Sequence, residues 1–165
     1  MLFRSDPVAE RVFEECPDLQ MVAQYAVGLD NVDLEAAAAH DVVVTHTPGV
    51  LTDATADMAW ALLLAAARHV PAADDYVRKG QFERWETTLL LGTELAGKTM
   101  GIVGLGRIGG AVARRALGFG MDVVYHNRHR ANPTVERQVN ATYAELENLL
   151  ATSDVVSLHC PLNED

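Results

Sequence analysis

The run 98–130, KTMGIVGLGRIGGAVARRALGFGMDVVYHNRHR, constrains this chain more than any other stretch. It opens with a short apolar segment of strand length, 98–103. A G-x-G-x-x-G turn follows, with Gly104, Gly106 and Gly109 enclosing Leu105, Arg107 and Ile108. Helical periodicity then covers 110–119, with Val112, Ala113, Ala116 and Leu117 on one face and Arg114 and Arg115 off it. A second apolar strand returns over 121–125. Strand, glycine turn, helix and strand in that order predict the first βαβ unit of a doubly wound parallel sheet.

The glycines carry specific physics. The first turns the chain tightly from strand to helix, the second leaves bare backbone against a pyrophosphate, and the third lets helix and strand pack closely. A pyrophosphate would meet the unpaired N–H groups and positive dipole end of a helix beginning near Arg107. The context therefore points to dinucleotide binding. About 20 positions beyond such glycines an acidic residue normally holds the ribose 2′-hydroxyl of NAD. Asn127 stands there instead, followed by Arg128, His129 and Arg130, with no carboxylate between Tyr125 and Ala131. Asn127 can donate and Arg128 can pair with phosphate oxygens, so NADP(H) is favoured, with NAD(H) possible. The alternative is a solvated basic turn, although a basic knot is unexpected in a chain of net charge −10.

That charge argues against nucleic acid or anionic membrane as a general partner. The two cysteines, Cys16 and Cys160, lie far apart and suggest neither a disulfide framework nor a zinc site. The beginning lacks a signal-peptide pattern, and the most apolar run, 58–67, is too short to span a bilayer. A soluble, cytoplasmic protein is expected.

Taken in order, 6–15 reads as a helix capped by Ser5 or Asp6, with Pro7 near its first turn, and Cys16-Pro17 ends it. Strands are expected at 19–27 and 42–45, around a helix at 34–39. Thr47-Pro48-Gly49 breaks the chain, and a long helix follows over about 52–70. It carries Ala56, Ala59, Trp60, Leu63, Leu64 and Ala67, more apolar surface than one covered face requires, which predicts burial on two sides, between domains or between subunits. Pro71 resets it into a shorter helix, 72–79, closed by Gly80. The stretch 81–96 is a connector without an assigned element. After a turn at Asn132-Pro133, a weak strand is expected at 137–141, a helix at 143–150 and a buried strand at 155–158.

The loop 27–33, VGLDNVD, leaves a strand. Gly28 could admit a substrate carboxylate to backbone N–H groups, or the loop could be a turn with Asn31 or Asp33 capping the next helix. The six histidines show no metal-ligand spacing, and no Ser-His-Asp or Cys-His pairing emerges.

Several of these motifs together resemble the 2-hydroxyacid dehydrogenases specific for D-isomers. They are VGLDNVDLEAA at 27–37, THTPGVLTDATADMAWALLLAAAR at 45–68, GLGRIG at 104–109 and SLHCPL at 157–162. Asn127-Arg128 after Tyr125-His126 resembles the glyoxylate/hydroxypyruvate reductase branch. The resemblance implies an α/β protein: an incomplete Rossmann sheet over 51–165, with an interdomain helix, plus part of a smaller flavodoxin-like substrate domain over 1–50. It further implies reduction of a small 2-oxo acid with NADPH or NADH, and a homodimer through the nucleotide domain when full length. Val27 and Gly28 would hold the substrate carboxylate. Gly104, Gly106, Arg107, Ile108, Gly109, Asn127, Arg128, His129, Arg130, Cys160 and Pro161 would line the cofactor.

In that family the catalytic arginine, glutamate and histidine lie beyond the strand that here ends before His159. No catalytic residue is therefore expected within this chain, which reads as an internal piece of an enzyme roughly twice its length. A six-strand sheet also leaves only four strands after Gly97. The strand 155–158 should then stand as an apolar edge, and the first α/β unit should begin in a helix with no opening strand. Marginal stability, weak cofactor binding and negligible hydride transfer are expected. Two further readings stand beside this one, an NAD-dependent D-3-phosphoglycerate-type dehydrogenase and a non-catalytic nucleotide-sensing module.

Overall fold

The computed structural model describes residues 2–3 and 6–161, so Ser5, one of the two expected caps, and Leu162 lie outside it. The chain divides into two compact units, Met1–Leu51 and Thr52–Asp165, each with its own parallel sheet. None of the helices among the described residues is long and apolar enough to cross a membrane.

In the first unit β1 (Leu2–Phe3), α1 (Glu10–Glu15), β2 (Met21–Gln24), α2 (Leu34–Ala39) and β3 (Val43–Thr45) follow in order. The strands pair in parallel as β1-β2-β3, so each crossover carries a helix. Phe13, Val22 and Ala37 are fully buried where α1 and α2 meet β2. Asp33 caps α2 by accepting from the Ala36 N–H at 2.9 Å, the local bond that Ser, Thr, Asn and Asp offer at this position.

Three expectations fail at this end. An opening strand exists, since β1 pairs with β2 through Leu2↔Ala23 and Phe3↔Gln24; two residues are too few to display a period. The first helix begins at Glu10 rather than residue 6. Val8 is extended, donating its N–H to Asn31 O at 2.8 Å while Asp33 N–H donates to Val8 O at 2.9 Å. Burying Val8 against Val32 in this bridge wins over early helix formation. The strand expected at 19–27 is also shorter, because Tyr25 onward turns away from the sheet.

The second unit begins with α3 (Thr52–Ala67) and α4 (Val70–Arg78). His69, in the left-handed region at φ 53°, separates them, and Pro71 stands in the first turn of the second. The parallel sheet comprises β4 (Thr99–Val103), β5 (Asp122–His126), β6 (Ala141–Tyr143) and β7 (Val155–Leu158). Its order is β6-β5-β4-β7. Between these strands run α5 (Arg107–Gly118), α6 (Pro133–Val139) and α7 (Leu146–Thr152). Met100, Ile102, Val112, Ala113, Ala116 and Tyr125 build the centre of the core. The first strand in sequence thus sits between β5 and β7, so the chain winds outward in opposite senses from β4. In such sheets ligands bind at the carboxyl ends beside that reversal.

Two further expectations need correction. Residues 137–141 are not a strand: α6 occupies 133–139 and β6 follows it. Asn132 accepts from the Thr134 N–H at 2.8 Å and Pro133 fills the first helical turn, which outweighs the β-branched Val135 and Val139. The helix expected at 143–150 lies at Leu146–Thr152, because Tyr143 completes β6. On α3, Ala56 and Trp60 are buried while Met58 and Leu62 are exposed.

The 81–96 connector contains no helix or strand, but part of it is anchored. Thr93 N–H donates to Ala67 O at 2.8 Å, and the His69 ring nitrogen lies 3.1 Å from Leu91 O. As expected, β7 is an edge of the described sheet, with Leu158 69% exposed.

At the opposite end from the glycine turn, Asp154 accepts from the Thr99 N–H and from Lys98 Nζ, both at 2.9 Å. The amide bond first, and the ammonium second, hold its carboxyl below the usual range. A depressed folded value means that this stabilisation is present above the ordinary carboxylate pKa of about 3.9 and is lost as pH falls through the lower folded value. Asp154→Asn should therefore flatten part of the acid limb of the stability profile. Urea midpoints measured from neutral to acid pH check this, and parallel curves for the two proteins would refute it.

Candidate functional site

The glycine turn closes over the carboxyl end of β4. Gly104 takes φ +100°, open to glycine and strained for side-chain-bearing residues. A Cβ there would stand 2.7 Å from the His159 carbonyl carbon and oxygen and 2.8 Å from Cys160 N. A Cβ on Gly109 would run into the Gly104 carbonyl oxygen, so helix and turn approach at backbone distance. A Cβ on Gly106 would meet nothing within 4 Å. That bare surface faces open space, as close approach of a pyrophosphate requires.

Gly106 is also the N-cap of α5 and offers no side-chain oxygen to the first-turn N–H groups. Those groups and the positive end of the twelve-residue helix remain available to an anion. Arg107 is exposed at the first helical position and Ile108 is half-buried beside the core.

The strand ends hold the turn in place. Gly104 N–H donates to His126 O at 2.9 Å, and His159 N–H donates to Val103 O at 2.8 Å. Asn127 Oδ1 accepts from the Leu105 N–H at 2.7 Å. Asn127 therefore has a definite task, tying the end of β5 to the glycine turn, with its amide NH₂ left to donate. Arg128 and His129 are exposed and carry no hydrogen bond or ion pair among the described residues. Cys160 and Pro161 lie at the exit of β7, where the Cys160 backbone passes Gly104. The half-buried His159 ring is 2.8 Å from Ser157 Oγ, and burial pushes its imidazole below the ordinary histidine value.

Arg130 is engaged elsewhere. Its guanidinium donates to Glu136 Oε1 at 2.8 Å and Oε2 at 3.2 Å. The same carboxylate accepts from Tyr125 Oη at 2.6 Å, and Tyr125 Oη accepts from the Ala131 N–H at 2.9 Å. The Arg130 hydrogen bonds first, then that from Tyr125, hold Glu136 below the usual carboxylate range. Tyr125, fully buried, is pushed up by burial first and by Glu136 second. Nothing in the linear pattern singled out Glu136, since it fell at the edge of the supposed strand. The usable signal was Asn132-Pro133, which starts a helix whose first turn brings Glu136 back toward β5.

Val27 and Gly28 belong to the first unit, beyond the carboxyl end of β2. The loop carbonyls are occupied: Ala26 O accepts from Thr47, Val27 O is 2.9 Å from the His46 ring and Gly28 O accepts from Gln24. No hydrogen bond to the N–H of Val27 or Gly28 is found among the described residues. Beneath them Gln24, 3% exposed, donates to Asn31 Oδ1 at 2.7 Å, and Asn31 donates to Asp6 O at 2.9 Å. This polar brace orients the loop.

Residues 60–165 match the family model described as D-isomer specific 2-hydroxyacid dehydrogenase, NAD binding domain. A glyoxylate reductase of Thermococcus litoralis is 50% identical over 165 residues, which cover 98% of this chain and 50% of the relative. A glyoxylate reductase of Korarchaeum cryptofilum is 52% identical over 162 residues, covering 98% of this chain and 48% of the relative. The crystal structure of the TT0316 protein from Thermus thermophilus superposes with a TM-score of 0.92 at 48% identity. That match covers 99% of this chain and 51% of the other. The chain spans about half the length of the curated relatives it matches.

Proposed function

The chain belongs to the D-isomer specific 2-hydroxyacid dehydrogenases, and on that premise we propose that it binds NADP(H) for the reduction of a small 2-oxo acid, of glyoxylate or hydroxypyruvate type, to its 2-hydroxy acid. When bound, the dinucleotide supplies the hydride. The observation that carries the cofactor choice is the exposed, unpaired Arg128 beside Asn127 at the end of β5, where a carboxylate would serve NAD. Arg128 can pair with phosphate oxygens, while the Glu136 carboxylate already pairs with Arg130.

The other roles follow from where charge is wanted. Gly106 and the first turn of α5 receive the pyrophosphate, with Gly104 and Gly109 allowing that turn to exist. In the first unit, read as part of a flavodoxin-like substrate domain, the N–H groups of Val27 and Gly28 receive the substrate carboxylate. Proton transfer to the carbonyl oxygen and its polarisation are assigned to no residue of this chain. A homodimer through the second unit is supported by Met58 and Leu62, exposed along α3.

Titration of the purified chain with NADPH and NADH, followed by nicotinamide fluorescence and thermal shift, tests this reading. NADPH should bind ahead of NADH. Arg128→Ala should weaken NADPH by about 10-fold or more, the worth of a charge-assisted hydrogen bond, and leave NADH within about twofold. Equal binding, or NADH ahead, would overturn the NADP(H) assignment and promote an NAD-linked reading.

A further inference from the structure

We infer that Glu136 sets the strength of cofactor discrimination by withholding Arg130 from the 2′-phosphate, which leaves Arg128 as the cation that reads it. The inference rests on the NADP(H) reading above and adds to it a positioning residue outside the glycine turn and the 127–130 segment.

Two arginines lie in the segment that leaves β5, both exposed, and they differ in their partners. Arg128 is exposed with no partner among the described residues. Arg130 places two guanidinium nitrogens on the two oxygens of Glu136, at 2.8 and 3.2 Å. A fork-on-fork pair of this kind fixes direction as well as distance.

The Glu136 side chain is itself immobilised. It is 11% exposed and sits in the first turn of α6, where the helix dipole favours its charge. It accepts from Tyr125 Oη at 2.6 Å, and that tyrosine is fully buried. Tyr125 Oη in turn accepts from Ala131 N–H, so the residue after Arg130 is pinned to the same point. The Tyr143 ring lies 5.9 Å from the Arg130 guanidinium carbon and adds a cation–π contact. Carboxylate, phenol and ring together hold Arg130 over α6 and β6.

The consequence concerns charge count. A 2′-phosphate carries up to two negative charges, and each arginine free to reach it adds to the preference for NADPH. With Arg130 neutralised by Glu136, one arginine of the segment remains for that task. Removing the carboxylate charge should release the second.

The experiment measures the ratio of NADH to NADPH dissociation constants in the full chain and its variants, each first shown to melt cooperatively. Glu136→Gln should raise the ratio about fivefold or more, the factor expected for one added contact of about 1 kcal/mol. Glu136→Asp should return it toward the starting value. Arg130→Ala alone should not raise the ratio, because it frees the Glu136 carboxylate without adding a cation. Adding Arg130→Ala to Glu136→Gln should abolish the gain. An unchanged ratio in Glu136→Gln, or a gain that survives in the double variant, overturns the inference. So does a rise of the ratio in Arg130→Ala alone, which also decides the matter if Glu136→Gln fails to fold. A starting protein without NADPH preference would overturn the cofactor reading instead, and a preference created by Glu136→Gln would still support the role of Glu136.

Discussion

Replacing Gly104 with alanine is expected to lower stability by about 3 kcal/mol or more and to abolish nucleotide binding. Two costs add. At φ +100° the new side chain is held in a strained backbone region, worth about 1–3 kcal/mol. Its Cβ would also meet the carbonyl carbon and oxygen of His159 at 2.7 Å and the nitrogen of Cys160 at 2.8 Å. These are backbone atoms, so no rotamer change relieves the clash. The exit of β7 would have to leave β4, breaking the 2.8 Å bond from His159 N–H to Val103 O, or the turn would have to open. Overpacking of this sort typically costs a further 1–3 kcal/mol or so. Chemical denaturation and NADPH titration of the variant measure both effects.

Gly106→Ala is the informative control. That position has ordinary φ −89° and its Cβ would meet nothing within 4 Å, so stability should stay within about 1 kcal/mol of the starting protein. Nucleotide binding should nevertheless fall, because the methyl group takes the space proposed for the pyrophosphate. A Gly104→Ala protein as stable as its parent would show that β7 does not pass so close. Unimpaired binding in Gly106→Ala would remove the pyrophosphate from that surface.

The contrast between these glycines also explains how far the sequence could be read. The G-x-G-x-x-G spacing is a backbone requirement, so it shows in the linear pattern without knowledge of partners. The α2 helix at 34–39 and the β7 strand at 155–158 were equally legible, the first from its cap and the second from a dense apolar run. What stayed hidden depends on contacts distant in sequence. Val8 is extended because Asn31 and Asp33 bond to it, and β1 exists because β2 lies beside it. Within the candidate site, the linear pattern could not show that Arg130 is engaged while Arg128 is free. Glu136 separates them, through a helix start that the β-branched residues around it obscured. Asn127 was noted for its polarity, yet its bond to Leu105 N–H could not be foreseen from spacing.

Trp60→Ala should destabilise the second unit by about 3–5 kcal/mol, the usual range for truncating a buried aromatic. Trp60 is 4% exposed and lies parallel to Phe119, with ring centroids 4.3 Å apart. Its indole Nε1 donates to Val112 O, an α5 carbonyl, at 3.1 Å. Truncation would leave a cavity between α3 and α5 and also remove that donor. The ion pairs from Arg115 to Asp53 and Asp57 cannot replace it, because both carboxylates are largely exposed and such pairs are worth about 0–1 kcal/mol. In the unassociated chain Leu62→Ala, on the exposed side of α3, should change stability by about 0.5 kcal/mol or less. Since α5 carries the phosphate-binding N-terminus, NADPH affinity should fall in Trp60→Ala and recover in the cold or with stabilising osmolyte. Urea unfolding of the two variants decides the point. A Trp60→Ala protein no weaker than Leu62→Ala would mean that α3 does not support the nucleotide helix.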